Sequence, residues 1–430
     1  MKRDTYGNVN ILLLWYGGGE HDGGYLTDSM MVASRNPELE TVTMFSIPRD
    51  LYVKSPVTGG YGRINVVFTQ FFGRTKDIHT SALNTAEHIS QILDMEIPYY
   101  ATIDFAAFQE VVDTIWGIDI VVPETLHDTA YPEDATRGYI TFHVDAGLQH
   151  MDGDIALKYA RSRHSTSDFS RSLRQQQIMM AIKDKILSSG VSLSNAQDLY
   201  VQYQTYVNTN VSFSEMLWTV QYINSLHSFT SFGFTTYCSF INYINMSPAC
   251  FLYNPDRENF WGAAVMLPIG ADHTNPQKYT LLQEFVAFIL SYQGFVKQKA
   301  SIEVINGVDK QLARQKGMAA VPFAGNLAIK MKRYGFQIAE TKNAETPITT
   351  SYIAINNIGD FSPTIQAIQK IVPITEIRDN SQLVVTGLDL SGNEISFFEG
   401  TDISIYLWED YLLGSDQLSG LVEKKFSYEL

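Results

Sequence analysis

A chain of 430 residues is long for a single hydrophobic core, and its 45% hydrophobic and 12% aromatic content is ample for two. The formal net charge of −15 and a pI near 5.0 exclude a general nucleic-acid surface, which needs a broad positive field. No window holds the roughly 18 apolar residues of a membrane span, and the opening MKRDTYGNVN lacks the apolar stretch of a signal peptide.

The chain begins only a few residues before its first expected strand, which leaves room for a membrane anchor upstream. Residues 9–15 (VNILLLW) form a short continuous apolar run, the pattern of a strand buried on both faces. The loop that follows, YGGGEHDGGYLTDSM, holds five glycines. These tolerate positive φ and let a ligand approach successive N–H groups, or they serve only as a flexible turn. Asp28 stands at the mouth of the next segment, 30–34, as a metal ligand or base. Residues 41–47 read as another strand, ended by Pro48, with Arg49 and Asp50 just past its carboxyl end, where open α/β sheets place their ligands. Arg63 and Asn65 precede a helical segment that includes 80–93. A strand at 99–103, a helix at 105–115 and a strand-like run at 118–123 then give a βαβ alternation.

A polar turn at 151–153 leads through a short helix into YARSRHSTSDFSRSLRQQQ, residues 159–177, where four arginines, one aspartate and three glutamines share nineteen positions of an acidic protein. Guanidinium forks suit phosphate oxygens, because two parallel donors meet two acceptors. Arg161 and Arg163 are two apart, on one side of an expected extended segment, while Arg171, Arg174 and Gln175 share one face of the following helix. Asp168 either caps that helix or faces the arginines and helps hold a metal. The helix runs to about residue 187, with Ile178, Met179, Ile182 and Ile186 as a core stripe. The pattern points to a phosphate site; a solvated basic face is the competing reading.

Further on, helices are expected at 196–206, 214–226 and 279–292, with a strand at 231–237. Residues 293–299 are the expected linker. A second unit then offers strands at 301–306, near 338, at 351–355 and 403–408, and a helix at 322–334 with its proline in the first turn. Cys238 and Cys250 suit neither a zinc set nor a redox pair; a disulfide worth about 3 kcal/mol and two buried thiols remain equal alternatives.

The blocks NILLLW, TDSM, SIPRDLYV, RIN, VVDTIWGIDIVV and GLQHMDGDIALKYARSRHSTSDFSRSLRQQQ occur in this order over residues 9–187. Together they resemble the signature of the LytR-CpsA-Psr family of bacterial cell-wall enzymes. The stretch SIEVING, FAGNLAIKMKRYGF and ISIYLWEDY resembles the LytR C-terminal domain that follows in some members. The resemblance implies a three-layer α-β-α catalytic domain with a mixed central sheet over 8–293, a smaller α/β domain over 300–410 and a tail at 411–430. It implies a phosphotransferase that moves a glycopolymer from an undecaprenyl diphosphate carrier to peptidoglycan with Mg²⁺ or Mn²⁺. It also implies a place outside the cell, held by an N-terminal transmembrane helix that this chain does not contain, and no nucleic-acid partner.

Carried over by motif, Asp28 is the metal ligand, Arg49, Arg161, Arg163 and Arg171 grip the diphosphate, and Asp168 and Gln175 orient that grip. Arg63, Asp50 and Arg174 are secondary substrate contacts, and Phe68, Phe71 and Phe72 line an apolar tunnel for the isoprenoid or are ordinary core. The chain departs from the family pattern at Gly17, where members carry a metal-binding aspartate, and at Leu26, where an arginine is common. Either metal binding is weakened, or Glu20, His21 or Asp22 in the glycine loop supplies the ligand. A polyprenyl diphosphate hydrolase and a non-catalytic polymer-binding protein are the alternative functions.

Overall fold

The computed structural model describes residues 1–18, 23–133, 138–162, 168–188, 204–217, 228–234, 251–308, 323–346, 348–381, 386–388, 394–396 and 400–408. These fall into two compact units, the first closing at Ala287 and the second opening at Phe288.

In chain order the first unit contains β1 (Val9–Tyr16), β2 (Thr27–Asn36), β3 (Thr41–Ile47), the short pair β4 (Tyr52–Lys54) and β5 (Tyr61–Arg63), α1 (Val67–Thr75) and α2 (Ile78–Leu93). Next come β6 (Tyr99–Asp104), α3 (Phe105–Thr114), β7 (Ile118–Val122), β8 (Leu126–Glu133), β9 (Gly138–Val144), β10 (Gly147–Met151), α4 (Gly153–Arg161) and α5 (Asp168–Ser188). The unit is completed by β11 (Val207–Thr209), β12 (Ser228–Gly233), β13 (Leu252–Tyr253), β14 (Leu267–Pro268) and most of α6 (Thr280–Ser291).

Six strands form the central sheet in the order β11-β6-β1-β2-β3-β12. It is mixed: β1 runs parallel to β6 and β3 to β12, while β2 is antiparallel to both its neighbours and β11 to β6. Adjacent side chains on β1 point to opposite faces. Trp15 meets Phe108 of α3 at 4.9 Å between ring centroids, in a core that α4 and α5 complete with Tyr159 and Ile178. Tyr16, its neighbour, stacks on Phe68 of α1 at 5.5 Å. Helices therefore cover both faces, which makes the three layers the resemblance implies.

The segment at 118–123 departs from the βαβ expectation. Among the described residues β7 pairs with β10 alone, antiparallel, in a separate ribbon. Its burial alternates residue by residue, with Asp119 and Val121 exposed, whereas a parallel central strand is covered on both faces. The β8–β9 hairpin and β10 carry the same one-sided pattern and were not expected. The strand expected at 231–237 is β12, which begins earlier, at Ser228, and ends at Gly233. The helices at 196–206 and 214–226 fall largely outside the described residues, and Cys238 and Cys250 fall wholly outside them.

The second unit contains α7 (Gln293–Gln298), β15 (Ser301–Asn306), α8 (Phe323–Arg333), β16 (Gln337–Asn343), β17 (Tyr352–Ile355), α9 (Ser362–Ile371), β18 (Ile377–Asp379), the pair β19 (Thr386–Leu388) and β20 (Glu394–Ser396), and β21 (Ile403–Leu407). Its five-stranded sheet runs β16-β15-β21-β17-β18. The expected linker at 293–299 is α7: Phe295 and Val296 are buried, which ties the segment down, and Lys299 ends it in the left-handed conformation at φ 51°. Among the described residues no helix is long and apolar enough to cross a membrane.

Candidate functional site

Asp28 owes its direction to an irregularity in β2. Trp15 opposes Ser29 and Tyr16 opposes Thr27, so Asp28 is the extra residue of a β-bulge at the edge of the glycine loop. A bulge bends the strand and re-aims the side chain that has no partner. The loop ends that flank it are closed by Gly18 N–H donating to Gly24 O at 2.8 Å and Leu26 N–H donating to Gly23 O at 2.7 Å. Gly18 sits at φ 95°, a left-handed conformation that costs a residue with a side chain far more than glycine.

Arg49 follows β3 by two positions. Its backbone is held from both sides: Leu51 N–H donates to Pro48 O, and Asn65 N–H donates to Arg49 O at 3.2 Å. Thr27 Oγ1 in turn donates to Asn65 O at 3.3 Å, so hydrogen bonds through Asn65 join β2, the 48–51 turn and the start of the helical segment. The guanidinium reaches Asp28 Oδ1 at 2.7 Å. Asp50 lies beside it, with Oδ2 3.6 Å from Arg49 Nε and Oδ1 3.2 Å from Arg63 Nη1. The result is an alternating row, Asp28, Arg49, Asp50, Arg63, whose outer member is exposed.

The basic segment is built on α4. Asp152 caps this helix by accepting from Ile155 N–H at 2.8 Å, and Gly153 N–H donates to Asp113 Oδ1 at 2.7 Å. Gly153 has no tolerance for a side chain, since a Cβ there would lie 2.4 Å from Gln109 O. That contact brings α4 directly against α3. The last residue of α4 is Arg161, helical rather than extended as the sequence suggested, and its guanidinium lies over the Phe105 ring at 4.2 Å with Tyr131 at 5.6 Å.

Behind it, α5 supplies the fastening. Arg174 Nε donates to Tyr159 O at 2.8 Å and Nη2 donates to Ser162 O, so this guanidinium holds the carbonyl end of α4. Burial lowers its pKa to about 10; Arg171 pushes the same way, and Tyr159 and Asp128 oppose. Gln175 bridges two elements: Ser29 Oγ donates to its Oε1 at 2.7 Å, and its Nε2 donates to Ala160 O at 3.5 Å. Gln176 Nε2 reaches Ser46 Oγ on β3 at 3.3 Å. Ser162 Oγ donates to the buried carboxylate of Asp128 at 2.6 Å.

Asp28 and Arg161 are thus each one residue from an end of the Gln175 bridge, although 133 positions separate them, and Arg49 pairs directly with Asp28. Arg171 is buried on the same helix, one turn before Arg174. Asp168 opens α5, but its side chain, together with Arg163, His21 and Asp22, lies outside the described residues. Sequence reasoning missed Ser29, Ser46, Gln176, Ser162 and Asp128, uncharged or buried residues whose role is to join elements. The run of glutamines at 175–177 was their only visible trace. Of the aromatics, Phe68 is fully buried and stacked on Tyr16, while Phe72 stacks on Tyr25 at 3.9 Å; Tyr16 and Tyr25 are themselves 5.8 Å apart. Burial and the nearby Asp104 push the Tyr16 phenol up to about 12, so it stays neutral. Among the described residues no three histidine, cysteine or acidic side chains cluster as a metal site.

The profile of the LytR_cpsA_psr family matches residues 2–237. The polyisoprenyl-teichoic acid–peptidoglycan teichoic acid transferase TagV of Bacillus subtilis (strain 168) is 31% identical over 195 residues, 44% of this chain and 46% of that protein. TagU of Bacillus cereus (strain AH820), which carries the same transferase name, is 30% identical over 210 residues, 48% of this chain and 62% of its own length. The chain therefore spans about half to three-fifths of these relatives. The crystal structure of B. subtilis TagV aligns with a TM-score of 0.47 at 25% identity, covering 67% of this chain and 99% of that one. With more than half of its length matched, from before β1 to beyond β12, the chain belongs to the LytR_cpsA_psr family.

Proposed function

We propose that the protein is a phosphotransferase that takes a glycopolymer from a polyprenyl diphosphate carrier and attaches it to peptidoglycan. The observation that carries this reading is that the Asp28 pair fixes Arg49 while the Gln175 bridge ties β2, next to Asp28, to the end of α4, next to Arg161, with Arg171 buried one turn before Gln175, all in an otherwise acidic protein. The names of the relatives, polyisoprenyl-teichoic acid–peptidoglycan teichoic acid transferases, supply the carrier and acceptor classes.

In this reading a sugar hydroxyl of peptidoglycan attacks the phosphorus nearer the glycopolymer. A new P–O bond forms, the bond to the bridging oxygen breaks, and that oxygen leaves with the polyprenyl monophosphate. Such a displacement needs alignment and charge neutralisation more than a protein nucleophile. Arg49, Arg161, Arg163 and Arg171 would neutralise the diphosphate, and the guanidiniums of Arg49, held by Asp28, and Arg161, held over Phe105, would need little reorganisation as charge develops. Arg174, committed to two carbonyls, would position rather than touch. Asp50 and Arg63 would form the outer edge. The hydroxyl proton would pass to Asp28 or Asp168.

Mg²⁺ or Mn²⁺ belongs to the same proposal, with Asp28 and either His21 or Asp22 as ligands. The described donors alone do not make a set: Asp28 is a single carboxylate already paired with Arg49. No step is therefore routed through a metal. An anchored position on the outer face of the cell membrane, and a LytR C-terminal-like role for the second unit, are also proposals. Binding of a polyprenyl diphosphate to the chain, with and without Mg²⁺ and with Arg161→Ala, tests the reading. Tight binding that the substitution weakens supports it, and equal binding by the variant overturns it.

A further inference from the structure

We propose that the β8–β9 hairpin carries a transition-metal site built on His127 and His143, separate from the site above. The two histidines stand directly opposite one another in the antiparallel register, both on the exposed face. Their Nδ1 atoms are 3.2 Å apart and their ring planes differ by 69°. On the far side of the second ring, His143 Nε2 lies 3.0 Å from Asp145 Oδ1.

The carboxylate decides the tautomer. It only accepts, so His143 Nε2 carries the hydrogen, and the neutral ring presents a bare Nδ1 lone pair toward His127. A carboxylate on the far nitrogen is also the arrangement that orients metal-bound histidines and makes them better donors. The spacing agrees with chelation: two nitrogens each about 2.0–2.1 Å from one tetrahedral Zn²⁺ lie about 3.3 Å apart. Without metal, His127 Nδ1–H donates to His143 Nδ1. With metal, the His127 hydrogen sits on Nε2 instead, both Nδ1 atoms bind the ion, and water completes the shell. Imidazole donors favour Zn²⁺, Ni²⁺ and Cu²⁺ over the hard Mg²⁺.

The site is coupled to the rest of the fold by the next residue. Asp128 points inward, fully buried; its Oδ1 accepts from Ala130 N–H at the bulge that follows, and its Oδ2 accepts from Ser162, the residue after Arg161. An ion that fixes His127 therefore fixes the strand from which the end of α4 is held.

Zn²⁺ titration of the full chain by calorimetry, in excess Mg²⁺ so that hard oxygen sites are filled, tests the proposal. One equivalent of Zn²⁺ is expected to bind, to raise the melting temperature, and to bind at least tenfold more weakly to His127→Ala and to His143→Ala. Asp145→Asn, which keeps the shape and removes the charge, should weaken binding about tenfold. Melting curves without metal verify that the variants are folded, and exposed positions such as these are expected to leave them unchanged. The absence of saturable Zn²⁺ binding, or affinity unchanged in both histidine variants, overturns the proposal and leaves the transferase reading untouched.

Discussion

Asp28 accepts a hydrogen bond from the Arg49 guanidinium at 2.7 Å, and it does so from the bulged position of β2, skipped between Thr27 and Ser29 in the pairing with β1. The bulge turns the carboxylate toward the end of β3, and the carboxylate in turn fixes the cation that the transfer reading needs most.

Removing either partner should cost activity rather than folding, because both side chains are partly exposed and neighbouring hydrogen bonds hold the backbone. Arg49→Ala is expected to lower kcat/KM on the order of 100-fold, the usual loss for one fixed charge-stabilising donor. Asp28→Asn should fall in the same direction, with the melting temperature of both variants close to that of the parent. Steady-state kinetics beside thermal denaturation checks this pair of outcomes.

Arg161 and Arg174 should part company when each is replaced. Arg174→Met leaves the carbonyls of Tyr159 and Ser162 without their donor, and a loss of about 2–3 kcal/mol in stability is expected. Arg161→Ala removes a half-buried cation from the faces of Phe105 and Tyr131, worth about 1 kcal/mol, and should abolish substrate binding. Urea denaturation and a ligand-binding assay on the same two proteins separate the roles; equal stability losses would contradict the assignment.

The Ser29–Gln175 contact is a direct coupling between β2 and α5. Ser29→Ala, Gln175→Ala and the double variant form a cycle in which about 1 kcal/mol of interaction is expected. A coupling near zero would mean that the two residues merely lie side by side.

A pH dependence follows from His88. Burial in α2 lowers its imidazole below the ordinary 6.5, and its Nε2 has no hydrogen-bond partner among the described residues. The unfolded chain therefore takes up the proton first. The stability contributed by the neutral ring is complete above pH 6.5 and falls away as the pH drops below it. Melting temperatures between pH 7.5 and 5.5 should fall more steeply in the parent than in His88→Leu.

Much of this was legible in the chain itself. The apolar runs of β1 and β3 and the stripe of α5 announce their elements because burial on one or both faces writes a period into the sequence. Arg49 and Arg161 were legible for a similar reason: a cation past a strand end or in a basic cluster stands out. Arg174 looked like its neighbours, and only the folded chain brings it onto the carbonyls of Tyr159 and Ser162. β7 read as part of a βαβ alternation, since five residues cannot reveal which partner they choose. Gln175 stood out by its place in the basic motif, whereas Ser29, Ser46, Ser162 and Gln176 carry no charge and no period, so tertiary contact alone identifies them.

The most direct test of the central claim is a coupled assay with polyprenyl diphosphate-linked glycopolymer and peptidoglycan as acceptor. It scores both polymer covalently joined to the wall sugar and polyprenyl monophosphate released. The parent should give the two products in equal amounts, and Arg49→Ala combined with Arg161→Ala should reduce both to background. Release of phosphate without coupled polymer, or transfer by the double variant at the parent rate, would contradict it.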